Sequence, residues 1–292
     1  QAIAPEIIPV YVPGEIITDT NGYIEYLVGN SPIIISLPHD GEILPSNMDD
    51  ISTPPIPAKN SKKVIEYFYQ YFIQESNGKF PHIITNNISS NKLDPNSEIS
   101  NGATNSLSQL YHNTYHSYIQ TAIDSINKYY DSALLINLTA HDDDNQFIEL
   151  RYLLTLDNLK KDNSELDSFL DISSIKQLSY LSSSDFHETI RGFNSMGKII
   201  MDQRCCSPIW YTFNVTPSKN FPTPPSQNYN QGGYIIEKYG SHNNLTQKIN
   251  AVDFSTPYSN HRDSGYAHWA LGNILEVSAK IFYKNMTNNS LY

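Results

Sequence analysis

The sequence predicts a three-layer α/β fold, a single domain built on a mixed and mostly buried sheet. Two observations carry that expectation. Short apolar runs such as Ile33 to Leu37 and Ala133 to Leu138 lack the polar alternation of a half-solvated strand, so both of their faces must be covered. Between such runs lie longer stretches with apolar residues at helical spacing, and strands that alternate with helices build covered sheets. At 292 residues the chain is long enough for one large core, and no internal repeat or linker divides it.

Residues 1–14, rich in Pro and Ile, read as an extended arm. Gly22 to Gly29 and Pro32 to Leu37 read as strands. Lys59 to Gln74 carries Val64, Ile65, Phe68, Tyr71 and Phe72 at helical spacing. His82 to Ile88 is a further strand. Ser106 to Tyr130 is a long amphipathic helix, with Tyr111, Tyr115, Ile119, Ala122, Ile123 and Ile126 on its apolar side, and it leads into the buried strand Ala133 to Leu138. Phe147 to Thr155 reads as a strand, Ser164 to Ile190 as short helical pieces, and Gly197 to Asp202 as a strand or its helical lead-in. Pro208 to Gln231 has little periodicity and is long for a connection, which marks a functional surface. Ile249 to Phe254 is again strand-like, and Ala267 to Tyr283 closes the chain as a helix.

Charge narrows the function. Against 30 Asp and Glu stand 19 Lys and Arg, a net charge of -11, whereas a polyanion needs clustered cations that release its counterions. Nucleic acid and anionic membrane surfaces are therefore the least expected partners, and no run approaches the roughly 18 apolar residues of a membrane span. The sequence starts at Gln1 without a leader and carries sequons at Asn87, Asn137, Asn214, Asn244, Asn285 and Asn288, so a secreted, glycosylated protein is expected. So Asn- and Ser-rich a chain also produces sequons by chance, and Asn87 and Asn137 end expected core strands. Cys205 and Cys206 are the only cysteines. Two ordinary thiols are expected, with a vicinal disulfide as the alternative; no further thiolate exists to complete a metal site.

The strongest local signal is Pro38-His39-Asp40-Gly41-Glu42, directly after a buried strand. Ligands of open α/β sheets gather at the carboxyl ends of strands. The H-x-x-E spacing of His39 and Glu42, on a tight turn, brings an imidazole and a carboxylate to one cation. His141 follows a second buried strand. Two His and one Glu with an open fourth position form a catalytic zinc set, although a turn histidine bonded to backbone and a solvated carboxylate fit the same spacing. Asp142, Asp143 and Asp144 read as supporting or solvated turn residues, since calcium-loop spacing is lacking. Arg151, Arg191 and Arg204 are candidates for oxyanion or carboxylate binding, with structural ion pairing as the default for each.

In chain order, Pro38-His39-Asp40-Gly41 with Pro45, Lys92-Leu93-Asp94-Pro95-Asn96, Tyr115-His116, Ile136 to His141, Gly192-Phe193-Asn194-Ser195-Met196-Gly197, Gly232-Gly233-Tyr234 and Ala251-Val252-Asp253-Phe254 resemble the motifs of N-formylglutamate amidohydrolase-like proteins. The resemblance spans roughly Ser31 to Arg262. It implies a zinc-dependent amide hydrolase with a metallocarboxypeptidase-like, phosphorylase/hydrolase-like sheet. It also implies His39, Glu42 and His141 as zinc ligands, Asp253 as general base, Arg262 as the trailing arginine of the site, and Asp94, Asn96, His116, Ser195, Gly232, Gly233 and Tyr234 around the substrate. In such a site zinc lowers the pKa of its water towards roughly 7 and a carboxylate accepts the proton.

Three departures bear on the substrate. Ser97 replaces the arginine that follows the family's Asn, and a hydroxyl cannot grip a carboxylate as a bidentate fork. Asp253 is one methylene shorter than the family's Glu. The family's D-x-H is Thr139-Ala140-His141 here, so the acidic partner of that histidine is missing or is supplied by Asp142. The sequence thus points to an amide hydrolase acting on an N-acyl amino acid, a γ-glutamyl compound or a peptide-like substrate, with a metallocarboxypeptidase-like peptidase as its near variant. The other reading is a binding protein that keeps a vestigial metal site.

Overall fold

The computed structural model describes residues 11–143, 145–206, 211–243 and 248–292. Most of the expected N-terminal arm, Asp144, the start of the Pro-rich loop and the Asn244 sequon lie outside them. Eight strands form one sheet: β1 (Ile16–Thr18), β2 (Ile24–Leu27), β3 (Ile33–Leu37), β4 (His82–Asn86), β5 (Ala133–Ala140), β6 (Phe147–Arg151), β7 (Asn214–Thr216) and β8 (Ile249–Thr256). Their order is β1-β2-β4-β3-β5-β8-β6-β7. β4, β3, β5 and β8 run parallel at the centre, while β2 joins β4 and β6 joins β8 antiparallel. The sheet is mixed, as the sequence predicts.

Helices cover both faces because the central strands are apolar on both. Ile33, Ile35 and Leu37 of β3, Leu134, Ile136 and Leu138 of β5, and Val252 and Phe254 of β8 pack with α1 (Ser61–Glu75) and α3 (Gly265–Thr287). Ile34, Leu135 and Ala251 point the other way, into a second core with α2 (Ser106–Asn127). Each fully buried aliphatic side chain contributes roughly 1.5–3 kcal/mol.

The helices start and meet where their sequences allow it. Asn105 caps α2 by accepting from the Leu107 and Ser108 amides, and Ser108 returns the bond in a capping box. α1 buries Val64, Ile65, Phe68 and Phe72 on one stripe. α3 crosses it at Gly272, where a Cβ would lie 2.4 Å from the Val64 carbonyl oxygen.

Several expectations change. Of the two readings for Gly197 to Asp202 the strand falls away: Met196–Asp202 is a helix, because the Ser195 side chain accepts the Lys198 amide and caps it. β6 stops at Arg151, and Leu153 beyond it takes a φ of 64° that no strand sustains. β1 and β7 were not expected; β7 lies inside the Pro-rich segment. Cys205 and Cys206 are joined as the vicinal disulfide. Among the described residues, no helix is long and apolar enough to cross a membrane.

Candidate active site

A row of polar side chains crosses the sheet at one level. Strand register sets Ser36 of β3 against Asn137 of β5, Asn137 against Asp253 of β8, and Asp253 against Arg151 of β6. Partners at one level project to the same face, here the face that α2 covers. They are hydrogen-bonded in sequence. Ser36 Oγ donates to Asn137 Oδ1 at 2.8 Å, and Asn137 Nδ2 donates to Asp253 Oδ1 at 2.9 Å. Arg151 Nη1 donates to Asp253 Oδ2 at 3.3 Å and its Nη2 to Glu149 Oε2 at 2.7 Å. Thr139 Oγ1 adds a bond of 3.1 Å to Asp253. Since Ser36 spends its proton on Asn137, the Tyr115 hydroxyl, 2.7 Å away on α2, donates to Ser36.

All of these groups are buried. Burial pushes the Asp253 carboxyl above its usual range, against the pull of Arg151, Thr139, Asn137 and His39. For Arg151 burial opposes the charge, but the Asp253 and Glu149 carboxylates outweigh it and raise the guanidinium's pKa.

A second group hangs on His39. Its Nε2 lies 2.6 Å from Asp94 Oδ1. Asp94 also accepts from the Asn96 amide at 2.8 Å and from Ser97 Oγ at 2.6 Å. Burial would raise the Asp94 carboxyl, yet His39, Ser97 and Asn96 together hold it below the usual range. Ser97 therefore turns inward. Asn96 Oδ1 accepts from the Ile235 amide at 3.1 Å and from Asn137 Nδ2 at 3.3 Å, which ties this group to the row. Gly233 permits the approach, because a Cβ there would lie 2.2 Å from Asn96 Nδ2. Gly232 before it has a φ of 113°, which favours glycine. The Tyr234 amide donates to the Asn96 carbonyl at 2.9 Å. His116 Nε2 donates to the Pro95 carbonyl at 3.0 Å, and burial lowers its pKa to about 3, so it is neutral. Asp94, Asn96, His116, Gly232, Gly233 and Tyr234 thus form one connected unit.

The expected zinc set is not gathered. His39 and His141 do follow neighbouring strands, but His39 Nε2 is engaged by Asp94 and Glu42 is exposed. Bridges from Gly41 to Ser89 and from Ile43 to Ile88 hold the segment extended, in place of the tight turn on which the H-x-x-E argument depends. Among the described residues, the groups of His, Asp and Glu whose ligand atoms lie within 4.8 Å of one another are His141-Asp143-Glu149 and Asp167-Asp185-His187. His39, Glu42 and His141 are not such a group and do not fit zinc together in this arrangement.

Two arginines are occupied elsewhere. Arg262 donates to the carbonyls of Lys59 at 2.6 Å and Thr256 at 3.1 Å, and burial lowers its pKa to about 10. Arg191 donates to the Leu159 and Lys161 carbonyls at 2.8 Å and to Asn163. Neither guanidinium is bonded to the row, and Ser195 serves as a helix cap. A cavity of about 920 Å³ lined by Tyr11, Tyr26, Lys79 and His82 lies at the amino end of β4, away from all of these residues.

No protein-family model matches the sequence, and no curated protein matches it. Among solved structures the chain is similar to the N-formylglutamate amidohydrolase from Ralstonia eutropha JMP134. The two are 8% identical, with a TM-score of 0.45 over 87% of this chain and 93% of that one. So distant a likeness leaves function to be argued from the site itself.

Ser36 and Glu149 belong to none of the sequence motifs. Their signal is local: each is a polar residue flanked by apolar ones in a strand, and buried polar groups require partners.

Proposed function

We propose that the protein is a metal-dependent hydrolase of an amide bond, acting on an N-acyl amino acid, a γ-glutamyl compound or a peptide-like substrate. The observation that supports it is the Asp253–Arg151 pair, joined through Asn137 to the His39–Asp94 group at the carboxyl edge of the parallel strands. In this reading Asp253, made more basic by burial, takes the proton of the attacking water and returns it to the leaving amine. Arg151, fixed by Glu149 and lying 5.8 Å from the Tyr229 ring centre, stabilises the oxyanion. A bound metal ion supplies Lewis acidity at such an edge. The order of the sequence motifs supports the same class.

One observation favours a binding protein instead. Asp253 is 1% exposed, and both of its oxygens already accept hydrogen bonds. A panel of N-acyl amino acids, γ-glutamyl peptides and amino-sugar amides separates the readings. The hydrolase reading requires turnover that falls about 10²–10⁴-fold in Asp253→Asn. Binding of a panel compound without turnover establishes the alternative.

A further inference from the structure

We infer that a divalent cation is held at the carboxyl end of β5 by His141, Asp143 and Glu149, a set that shares only His141 with the expected zinc ligands. The inference rests on the metal-dependent reading for its chemical purpose, but its geometry stands apart from that reading. One ligand atom from each of the three lies within 4.8 Å of the others.

Two of those residues carry atoms with nothing to bind. His141 Nδ1 and Glu149 Oε1 are buried without a hydrogen-bond partner, on side chains of residues that are 6% and 0% exposed. Most buried polar atoms in folded proteins have a hydrogen-bond partner, so two such atoms facing one cluster point to a missing ligand.

The opposite atom of each residue is already fixed in the way a ligand requires. His141 Nε2 lies 2.9 Å from the Phe147 carbonyl oxygen. A carbonyl only accepts, so Nε2 carries a proton and Nδ1 is the ring atom left to meet a cation. This is the support that metal-bound histidines ordinarily have. Glu149 Oε2 is held by Arg151 at 2.7 Å, which leaves Oε1 as its ligand atom.

Asp143 is half-buried at the mouth of the set. Asn228, from the long Pro-rich loop, steadies it by donating to Oδ1 at 3.1 Å.

Charge points the same way. Glu149 and Asp253 share one guanidinium, and Asp143 brings a further carboxylate; a divalent cation offsets the excess. One imidazole with two carboxylates suits Zn²⁺ or Mn²⁺ better than Ca²⁺, which takes six or more oxygens. The other cluster, Asp167-Asp185-His187, is weaker, since His187 Nδ1 is already bonded to Asp167.

The test is calorimetric titration of chelator-treated full-length protein with Zn²⁺ and, separately, Mn²⁺. Roughly one ion per chain is expected. Asp143→Asn and Glu149→Gln should each weaken binding by at least about tenfold, while Glu42→Gln leaves it unchanged. Asp143 is partly exposed, so its variant decides the matter if Glu149→Gln does not fold. The inference is overturned if neither ion binds, or if Glu42→Gln weakens binding while Asp143→Asn does not. A chain that binds one ion through Asp143 and Glu149 yet cleaves no amide supports the site and removes only the hydrolase reading.

Discussion

Arg151 stands directly across the antiparallel β6–β8 pair from Asp253 and reaches its carboxylate at 3.3 Å, while holding Glu149 at 2.7 Å with its other terminal nitrogen. One cation therefore serves two buried anions. Removing one partner of a buried pair leaves an uncompensated charge that costs about 3–5 kcal/mol. Arg151→Met is expected to lose that much in urea unfolding at neutral pH, and the change should shrink in the Arg151→Met/Glu149→Gln double variant. Equal losses in the two would show that Glu149 does not depend on Arg151.

The Tyr115–Ser36 contact offers a cleaner measure of the row. Ser36→Ala leaves the Tyr115 hydroxyl with the long 3.5 Å contact to the Ile84 carbonyl, at roughly 1–3 kcal/mol, and Tyr115→Phe alone strands less. The double variant is expected to be more stable than the sum of the single losses predicts. Strict additivity in a double-mutant cycle would mean that the two hydroxyls do not interact.

Gly272 sets the distance between α1 and α3. Gly272→Ala places a methyl 2.4 Å from the Val64 carbonyl oxygen and should cost about 1–3 kcal/mol by overpacking. Gly265, at the start of the same helix, has nothing within 4 Å of an added Cβ. Gly265→Ala should be neutral or stabilising by up to about 1 kcal/mol. Thermal unfolding of the two variants gives the comparison, and equal shifts would contradict it.

Acid should destabilise the fold through its buried histidines. Burial lowers the pKa of His82 and of His116 to about 3. The Gly29 amide, a donor, points at His82 Nδ1 from 3.1 Å, which requires that nitrogen to be unprotonated. The unfolded chain takes up these protons near pH 6.5. Each histidine's contribution is thus complete above about 6.5 and is lost as pH falls towards 3, at up to about 1.4 kcal/mol per pH unit. Asp40 opposes them: burial raises it to about 6, so its contribution is complete below about 4 and lost as pH rises through 6. Stability measured by urea should fall from pH 6 to pH 4, with a shallower slope in His82→Gln. An unchanged slope in that variant would mean that His82 is not the group refusing the proton.

The fold was legible because its signals are redundant. The apolar runs of β3 and β5 and the stripe of α1 each match their elements to within a residue or two. β1 and β7, three residues each, are too short for periodicity to register. The site was legible only as far as strand ends reveal it. His39 and His141 lie where a buried strand followed by histidine places them. Glu42 does not join them, because whether its segment turns or extends depends on bridges to Ser89 and Ile88, which are distant in sequence. Glu149 carries no such signal, because Asp253, with which it shares Arg151, lies about a hundred residues downstream and only strand register brings the two to one arginine.

The polar row also indexes the sheet. Slipping β8 by one residue against β5 would turn Asp253 to the opposite face, among the aliphatic side chains beneath α1 and α3, and strand Arg151 opposite an apolar neighbour. Misaligned pairings therefore each bury an unmatched charge. Four strands whose Ile- and Leu-rich sequences would tolerate several alignments are left with one.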